Sequence, residues 1–418
     1  MHADLLIHSA AELLTLAGGP QRGQELGRLA LISGGAVACR EGSIVAVGNS
    51  HALADIHADR EIDASGCVVM PGFVDPHTHA VWVGDRANEF ELRVAGASYM
   101  DIMAAGGGIA ASVNAARHAT LDQMVAETRP RLKRMLAHGS TTIEVKSGYG
   151  LDLETEIRML DAILKLDEEG PWDLVPTFLG AHAIPPEFQG RSDAYADLIC
   201  RDILPAVKAF WERKAGSRPL PFVDVFCETG AFSLAQSRRI LERAKALDFP
   251  RKIHADEFEG LGGTALAVEL GAASADHLVC TPDADIAALG ASNTVAVSLP
   301  CTPFGLGHTE YTPAGKIISA GGTLAIASDL NPGTAWCENM QFVIALSCRY
   351  LHLTPAQAIA AATINSAAAL NREDRIGSLE TGKQADILIL NVPDYRHLGY
   401  RFGSNLVNAV YKRGERVA

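Results

Sequence analysis

Two histidines spaced i, i+2, His77 and His79, close a short apolar run, Val68–Val74, just after Asp75-Pro76. In extended chain such a pair projects to one side, so both imidazoles can reach a single ion. Later apolar runs end in the same kind of chemistry: Ile253-His254, Ser274-Ala275-Asp276-His277 and Ala327-Ser328-Asp329, while His182 follows Leu174–Leu179. One His-x-His pair is weak evidence, and any single strand-end histidine reads equally well as a hydrogen-bonded rim residue. Five metal or acid–base side chains (His77, His79, His254, His277 and Asp329) where successive runs finish point to a metal site. Three imidazoles and one carboxylate suit Zn²⁺ or iron, and an open position would lower the pKa of a water to roughly 7. That chemistry hydrolyses an unactivated amide or amidine. The sequence has no G-x-S-x-G elbow and no P-loop; Gly106-Gly107-Gly108 lacks the following Lys-Ser/Thr and reads as a flexible loop near a barrel mouth.

Something must bring those ends together. Eight apolar runs alternate with helical stretches: Val68–Val74, Thr141–Val145, Leu174–Leu179, Phe222–Phe226, Lys252–His254, Ala273–Asp276, Thr294–Leu299 and Thr323–Ser328. Capping-box patterns at Thr120–Gln123 and Ser233–Gln236 start two of the helices. Thr354-Pro355 starts another, with proline at its first position, and Ile157, Leu160, Ile163 and Leu164 share one face within 152–166. Eight strand–helix units predict an α/β fold, a (β/α)₈ TIM-like barrel, which carries its reactive residues at the C-terminal ends of its strands. A doubly wound sheet is the alternative, but the Gly-rich turn expected after its first strand is missing. Both chain ends read as β structure, with a hairpin over Gly35–Gly48 turning at Arg40-Glu41-Gly42, and strands at Asp386–Leu390 and Leu406–Val410. We expect residues 1–66 and 375–418 to form one small composite β-sandwich domain around a barrel of residues 67–374.

The composition fits this reading. With 48% hydrophobic and 20% charged residues, the chain can build a large core and is not disordered. A net charge of −13 argues against a nucleic-acid partner. No apolar run approaches the roughly 18 residues of a membrane span. The first basic residue is Arg22, and Asp4 and Glu12 interrupt the early apolar residues, so a secretory signal is not expected. Eight cysteines without a C-x-x-C pair read as reduced thiols of a cytoplasmic protein.

Six sequence blocks carry a resemblance. They are Pro71-Gly72-Phe73-Val74-Asp75-Pro76-His77-Thr78-His79, Glu144-Val145-Lys146-Ser147-Gly148-Tyr149-Gly150, Gly180-Ala181-His182-Ala183-Ile184-Pro185, Lys252-Ile253-His254-Ala255-Asp256-Glu257-Phe258, Ser274-Ala275-Asp276-His277 and Asp329-Leu330-Asn331-Pro332-Gly333-Thr334. In that order they resemble the amidohydrolase superfamily across essentially the whole chain. The match is nearest to its histidine-degrading branch, whose members open the ring of 4-imidazolone-5-propionate to N-formimidoyl-L-glutamate. The resemblance implies one Zn²⁺ or Fe³⁺ per subunit on His77, His79, His254 and Asp329, and a homodimer. It implies substrate contacts from Arg86, Tyr149, His182, Glu257, Asn331, Gly333 and Thr334. His277 would polarise the carbonyl or shuttle a proton, Glu257 would relay a proton, and either His277 or Asp329 would act as base. Lys146 or Glu228 would matter only in a two-metal site, which this branch lacks; Cys301 and His308 receive no role. Two other readings stay open: a ring aminohydrolase of the same superfamily, which would release ammonia, and a non-catalytic scaffold.

Overall fold

The computed structural model describes residues 2–97 and 107–418, so Gly106 of the glycine run lies outside the described residues. Its strands in chain order are β1 (His2–Leu14), β2 (Leu31–Arg40), β3 (Ser43–Asn49), β4 (His57–Asp63), β5 (Val68–Pro71), β6 (Phe73–Asp75), β7 (Ser140–Lys146) and β8 (Asp173–Ala181). There follow β9 (Phe222–Cys227), β10 (Lys252–Ala255), β11 (Ser274–His277), β12 (Val295–Ser298), β13 (Leu324–Ile326), β14 (Ile387–Leu390), β15 (Val407–Lys412) and β16 (Glu415–Arg416).

Strands β6 to β13 form one sheet in sequence order, every neighbouring pair parallel. All eight anticipated runs are present. Beyond their ends the two outer strands meet: Thr78 bridges Leu330, Asp329 N donates to His77 O at 3.1 Å, and His79 N donates to Leu330 O at 2.9 Å. These bonds close the barrel where the candidate site residues lie.

Helices cover the outside for the reasons the sequence contains. Thr120 and Ser233 accept from the backbone N–H three residues on, while Gln123 and Gln236 reach back to the cap, two complete capping boxes. Thr354 and Gln357 form a third, with Pro355 at the first helical position, where its missing N–H costs nothing. The helix Leu153–Glu169 buries Leu160, Ile163 and Leu164 against the barrel.

The chain ends form the second sheet, in the order β16-β15-β14-β5-β1-β2-β3, with β4 also on β1. The first 13-residue strand makes this possible: β4 pairs along its first half and β5 at its end. Ile7 and Leu13 of β1, Val37 of β2, Val69 of β5 and Ile389 of β14 thereby share one apolar cluster. The domain is thus one sheet folded over its own core. The hairpin turns at Glu41 and Gly42, both with positive φ, as two-residue hairpin turns require.

One expectation is corrected. The first run, Val68–Val74, is two strands. Val68–Pro71 pairs with β1 and β14 in the terminal sheet, and only Phe73–Asp75 enters the barrel. Gly72 is the joint. A Cβ there would stand 2.2 Å from Thr141 Oγ1, so the residue is needed for space, not for an unusual φ. Gly72→Ala is expected to cost about 1–3 kcal/mol through overpacking, seen as a lower thermal midpoint with the helical circular dichroism unchanged.

Candidate active site

The strand ends converge on a buried nest of imidazoles and carboxylates. Ligand atoms of His77, His79 and His254 lie within 4.8 Å of one another, and so do those of His77, His277 and Asp329. His79 Nε2 is 3.4 Å from His254 Nε2, and Asp329 Oδ1 is 3.5 Å from both His77 Nε2 and His79 Nε2. Donors of a tetrahedral site with bonds of about 2.0–2.1 Å stand roughly 3.4 Å apart, so these spacings fit one small cation. His77 Nε2 is buried and, among the described residues, has no hydrogen-bond partner, an unmet lone pair that an ion would satisfy. Burial pushes the imidazoles of His77, His79 and His277 well below their ordinary pKa, leaving them neutral as ligation requires.

Carboxylates behind the rings fix their orientation. Asp276 Oδ2 accepts from His77 Nδ1 at 2.6 Å, turning Nε2 toward Asp329. His254 Nδ1 lies 2.9 Å from Asp224 Oδ2, a close contact although its angle is poor for a hydrogen bond. Each carboxylate has a buried lysine behind it. Lys146 Nζ donates to Asp224 at 2.8 Å and to Glu144 at 2.6 Å, while Lys252 Nζ donates to Pro76 O at 2.7 Å and lies 3.6 Å from Asp276. Burial opposes the Lys146 charge, but Asp224 and Glu144 outweigh it and keep the ammonium protonated. Burial would likewise lift Asp224, yet His254 and Lys146 hold it well below the usual carboxylate range. Metal-binding histidines are commonly oriented in this way.

The sequence reading did not single out Asp224, Asp276 or Lys252 as site residues. A signal existed: each is a charged residue within a short strand that is otherwise almost wholly apolar or buried. Lys146 and Glu228, the residues weighed for a second ion, have other partners here. Glu228 accepts from Thr229 N and Phe258 N, both at 2.9 Å, and so shapes the loop that carries Glu257.

His277 and Asp329 both have positive φ, 81° and 52°, as does Asp256 at 54°. Non-glycine residues held this way carry strain that surrounding structure must offset, and such residues concentrate at functional sites. Glu257 Oε2 is 3.6 Å from His277 Nε2. Burial, and then the negative charges of Asp329 and Glu228, push the Glu257 carboxyl well above its ordinary range, which favours its protonated form. Asp329 accepts from Thr302 Oγ1, and burial pushes its pKa up to about 6.

Around this nest stand the other expected residues. His182 stacks on His79 at 4.8 Å between ring centroids, and its Nδ1 donates to Gly148 O at 2.9 Å, leaving Nε2 as an acceptor. Burial pushes His182 down to about 3. The Tyr149 ring is 5.5 Å from that of His182 and 6.0 Å from that of His79. The loop bearing Tyr149 is held by Glu156, whose carboxylate accepts from the backbone N–H of Gly148, Gly150 and Leu151 at 2.8–3.0 Å.

Arg86 lines a 370 Å³ cavity with Arg93, Gly333, Thr334 and Cys301. It donates through Nε and Nη2 to Glu89 at 2.8 and 2.6 Å, and a Cβ on Gly333 would strike its Nη1 at 2.3 Å. Glycine there lets the loop lie against the guanidinium. The Asn331 side chain is occupied within its own turn, accepting from Gly333 N and Thr334 N at 2.8 Å and donating to Asp329 O at 2.7 Å. A 450 Å³ cavity is lined by His277, Glu257, Cys280 and His308.

A sequence profile described as the amidohydrolase family matches residues 68–417. The chain is 55% identical to the imidazolonepropionase of Herpetosiphon aurantiacus over 99% of this chain and 97% of that one. It is 50% identical to the imidazolonepropionase of Symbiobacterium thermophilum over 98% and 96% respectively. Among solved structures, an adenosine deaminase from Xanthomonas campestris with bound zinc has a TM-score of 0.70 at 21% identity, covering 99% of this chain and 93% of that one. A triazine hydrolase variant has a TM-score of 0.75 at 16% identity, covering 99% and 94%; both likenesses speak to the fold alone. A barrel closed at its own nest of imidazoles and relatives matched end to end give one conclusion: the chain is a hydrolase belonging to the amidohydrolase family, on its imidazolonepropionase branch.

Proposed function

We propose that this enzyme adds water across the cyclic amide of 4-imidazolone-5-propionate and releases N-formimidoyl-L-glutamate, a step of histidine degradation. The observation that carries the reading is the cluster of His77, His79 and His254, whose ligand atoms lie within 4.8 Å of one another, with Asp329 Oδ1 3.5 Å from the first two rings. Those four residues would hold one Zn²⁺ or Fe³⁺ per chain. When bound, the ion supplies Lewis acidity and water made acidic enough to attack near neutral pH.

The chain's own residues do the rest. Arg86, held by Glu89 at the cavity wall, offers its remaining N–H groups to the propionate as a guanidinium fork. Tyr149 and His182, packed beside His79, orient the flat ring. Asp329 takes a proton from the attacking water as its oxygen bonds to the ring carbonyl carbon. His277 steadies the developing negative charge on the carbonyl oxygen. Glu257, its carboxyl pushed above the ordinary range by burial and 3.6 Å from His277, gives a proton to the departing ring nitrogen as the C–N bond breaks, and it regains one from Asp329 through His277. The former carbonyl leaves as a carboxylate, the second proton of the water passing to solvent, and the formimino group stays on the other nitrogen. The turn at Asn331, Gly333 and Thr334 borders the product beside Arg86.

Purified enzyme incubated with 4-imidazolone-5-propionate is expected to yield a product one water heavier, identified by mass as formimidoylglutamate, without ammonia. Ammonia release would instead mark a ring aminohydrolase. Elemental analysis should find one Zn or Fe per chain; a protein that binds neither ion would favour the scaffold reading. Arg86→Gln is expected to raise KM roughly 10- to 100-fold, the worth of a charged hydrogen bond, with kcat changing less. An unchanged KM would remove Arg86 from substrate binding. Among the described residues no helix is long and apolar enough to cross a membrane. All eight cysteines are free thiols, which supports a cytoplasmic setting for this reaction.

A further inference from the structure

A second cavity lies at the opposite end of the barrel strands from the histidine nest. It has a volume of 290 Å³ and sits where β8 begins, against the terminal sheet. Four arginines line it, Arg218, Arg372, Arg375 and Arg413, against two carboxylates, Asp167 and Asp173, a surplus of two positive charges. Both carboxylates already have partners. Asp173 accepts from Lys412 Nζ at 2.7 Å, from Gln384 Nε2 at 2.8 Å and from Arg413. Asp167 accepts from Leu174 N at 2.9 Å and from Arg218 Nε at 3.1 Å.

Arg372 and Arg375 are therefore left over. Among the described residues neither guanidinium has a carboxylate within 4.0 Å. Arg372 is partly buried and Arg375 beside it is exposed; desolvation and the charge of Arg375 act against the Arg372 charge and prevail over the more distant Asp173, Asp374 and Asp167, which favour it. Two adjacent cations, one of them partly removed from water and neither with a carboxylate within 4.0 Å, raise the energy of the empty cavity, and an anion between them would lower it. Guanidinium forks match the paired oxygens of a tetrahedral oxyanion better than they match chloride.

We propose that this cavity binds a phosphate-type dianion, either free phosphate or the phosphate group of a monoester, between Arg372 and Arg375. Arg218 and Arg372 belong to the barrel side and Arg413 to the terminal sheet, so the anion would also tie the two together.

The test titrates the metal-loaded enzyme at constant ionic strength, in separate arms, with inorganic phosphate and with ribose 5-phosphate. It reads the thermal midpoint against a chloride baseline. The expected result is a saturable rise in at least one arm, with the tighter arm identifying the source. Arg375→Gln, at an exposed position where folding is not at stake, should weaken the response roughly tenfold, and Arg375→Lys should restore part of it. Arg86→Gln should leave it unchanged. The proposal is overturned by the absence of a saturable rise beyond chloride in both arms. A rise that persists undiminished in both Arg372→Gln and Arg375→Gln overturns it too. So does a response lost in Arg86→Gln, which would put the anion in the reaction site.

Discussion

Asp329→Asn is expected to lower kcat/KM for imidazolone propionate by roughly 10³-fold or more, because one substitution removes both a proton acceptor and an anionic donor. The side chains are isosteric, and the carbonyl of residue 329 still accepts from Asn331 Nδ2, so the turn around it is retained. The loss should therefore appear with little change in thermal midpoint. Asp329 Oδ1 lies 3.5 Å from both His77 Nε2 and His79 Nε2, so the metal content of the variant should also fall. A variant within tenfold of the parent, with a full complement of metal, would mean that Asp329 neither ligates nor takes the proton. The assignment of His277 to the carbonyl oxygen would then need to be reversed.

The second large effect is on stability. Lys146 is fully buried and is the cation between Glu144 and Asp224. Lys146→Met keeps much of the volume but leaves two buried carboxylates short of their counter-charge. Breaking such a group by removing one partner costs about 3–5 kcal/mol, read here as a marked fall in thermal midpoint. Asp224 also stands 2.9 Å from His254 Nδ1, so the orientation of that ring should loosen and metal affinity drop roughly 10- to 100-fold. Lys146→Arg, which keeps the charge, should recover part of the metal affinity even if its bulk costs stability. If Lys146→Met held its ion as tightly as the parent, the pair Lys146–Asp224 would be a matter of folding only.

The residues that meet at the site were legible because each lies at or just beyond the end of a barrel strand, His77 and His79 sharing the first. An apolar run bounded by helix signals identifies a barrel stave, and the rule that barrel chemistry sits at C-terminal strand ends then selects His77, His79, His254, His277 and Asp329. The capping boxes at Thr120 and Ser233 were legible because each acts on a residue three positions away, whereas at Thr354 only the helix start was read and its box appears in the structure. The break at Gly72 was not. Val68 to Val74 is uniformly apolar, and hydrophobic pattern alone does not say which sheet a residue joins. The joint appears only when Thr141 of the neighbouring strand is seen pressed against it.

The roles of Asp224 and Asp276 were hidden for a related reason. Their partners, His254 and His77, lie on other strands, 30 and 199 residues away. Similarly, Asn331 reads as a product-binding amide, yet its side chain is taken up by the turn that it stabilises. By itself the sequence determined the number and order of the staves, the helices between them, and which side chains would end each stave, because these follow from local periodicity and capping. Tertiary structure alone decided which ring faces which carboxylate, which buried lysine balances it, and where the two sheets part. Those contacts run across the closed barrel, and the register that closes it is set by all eight strands together.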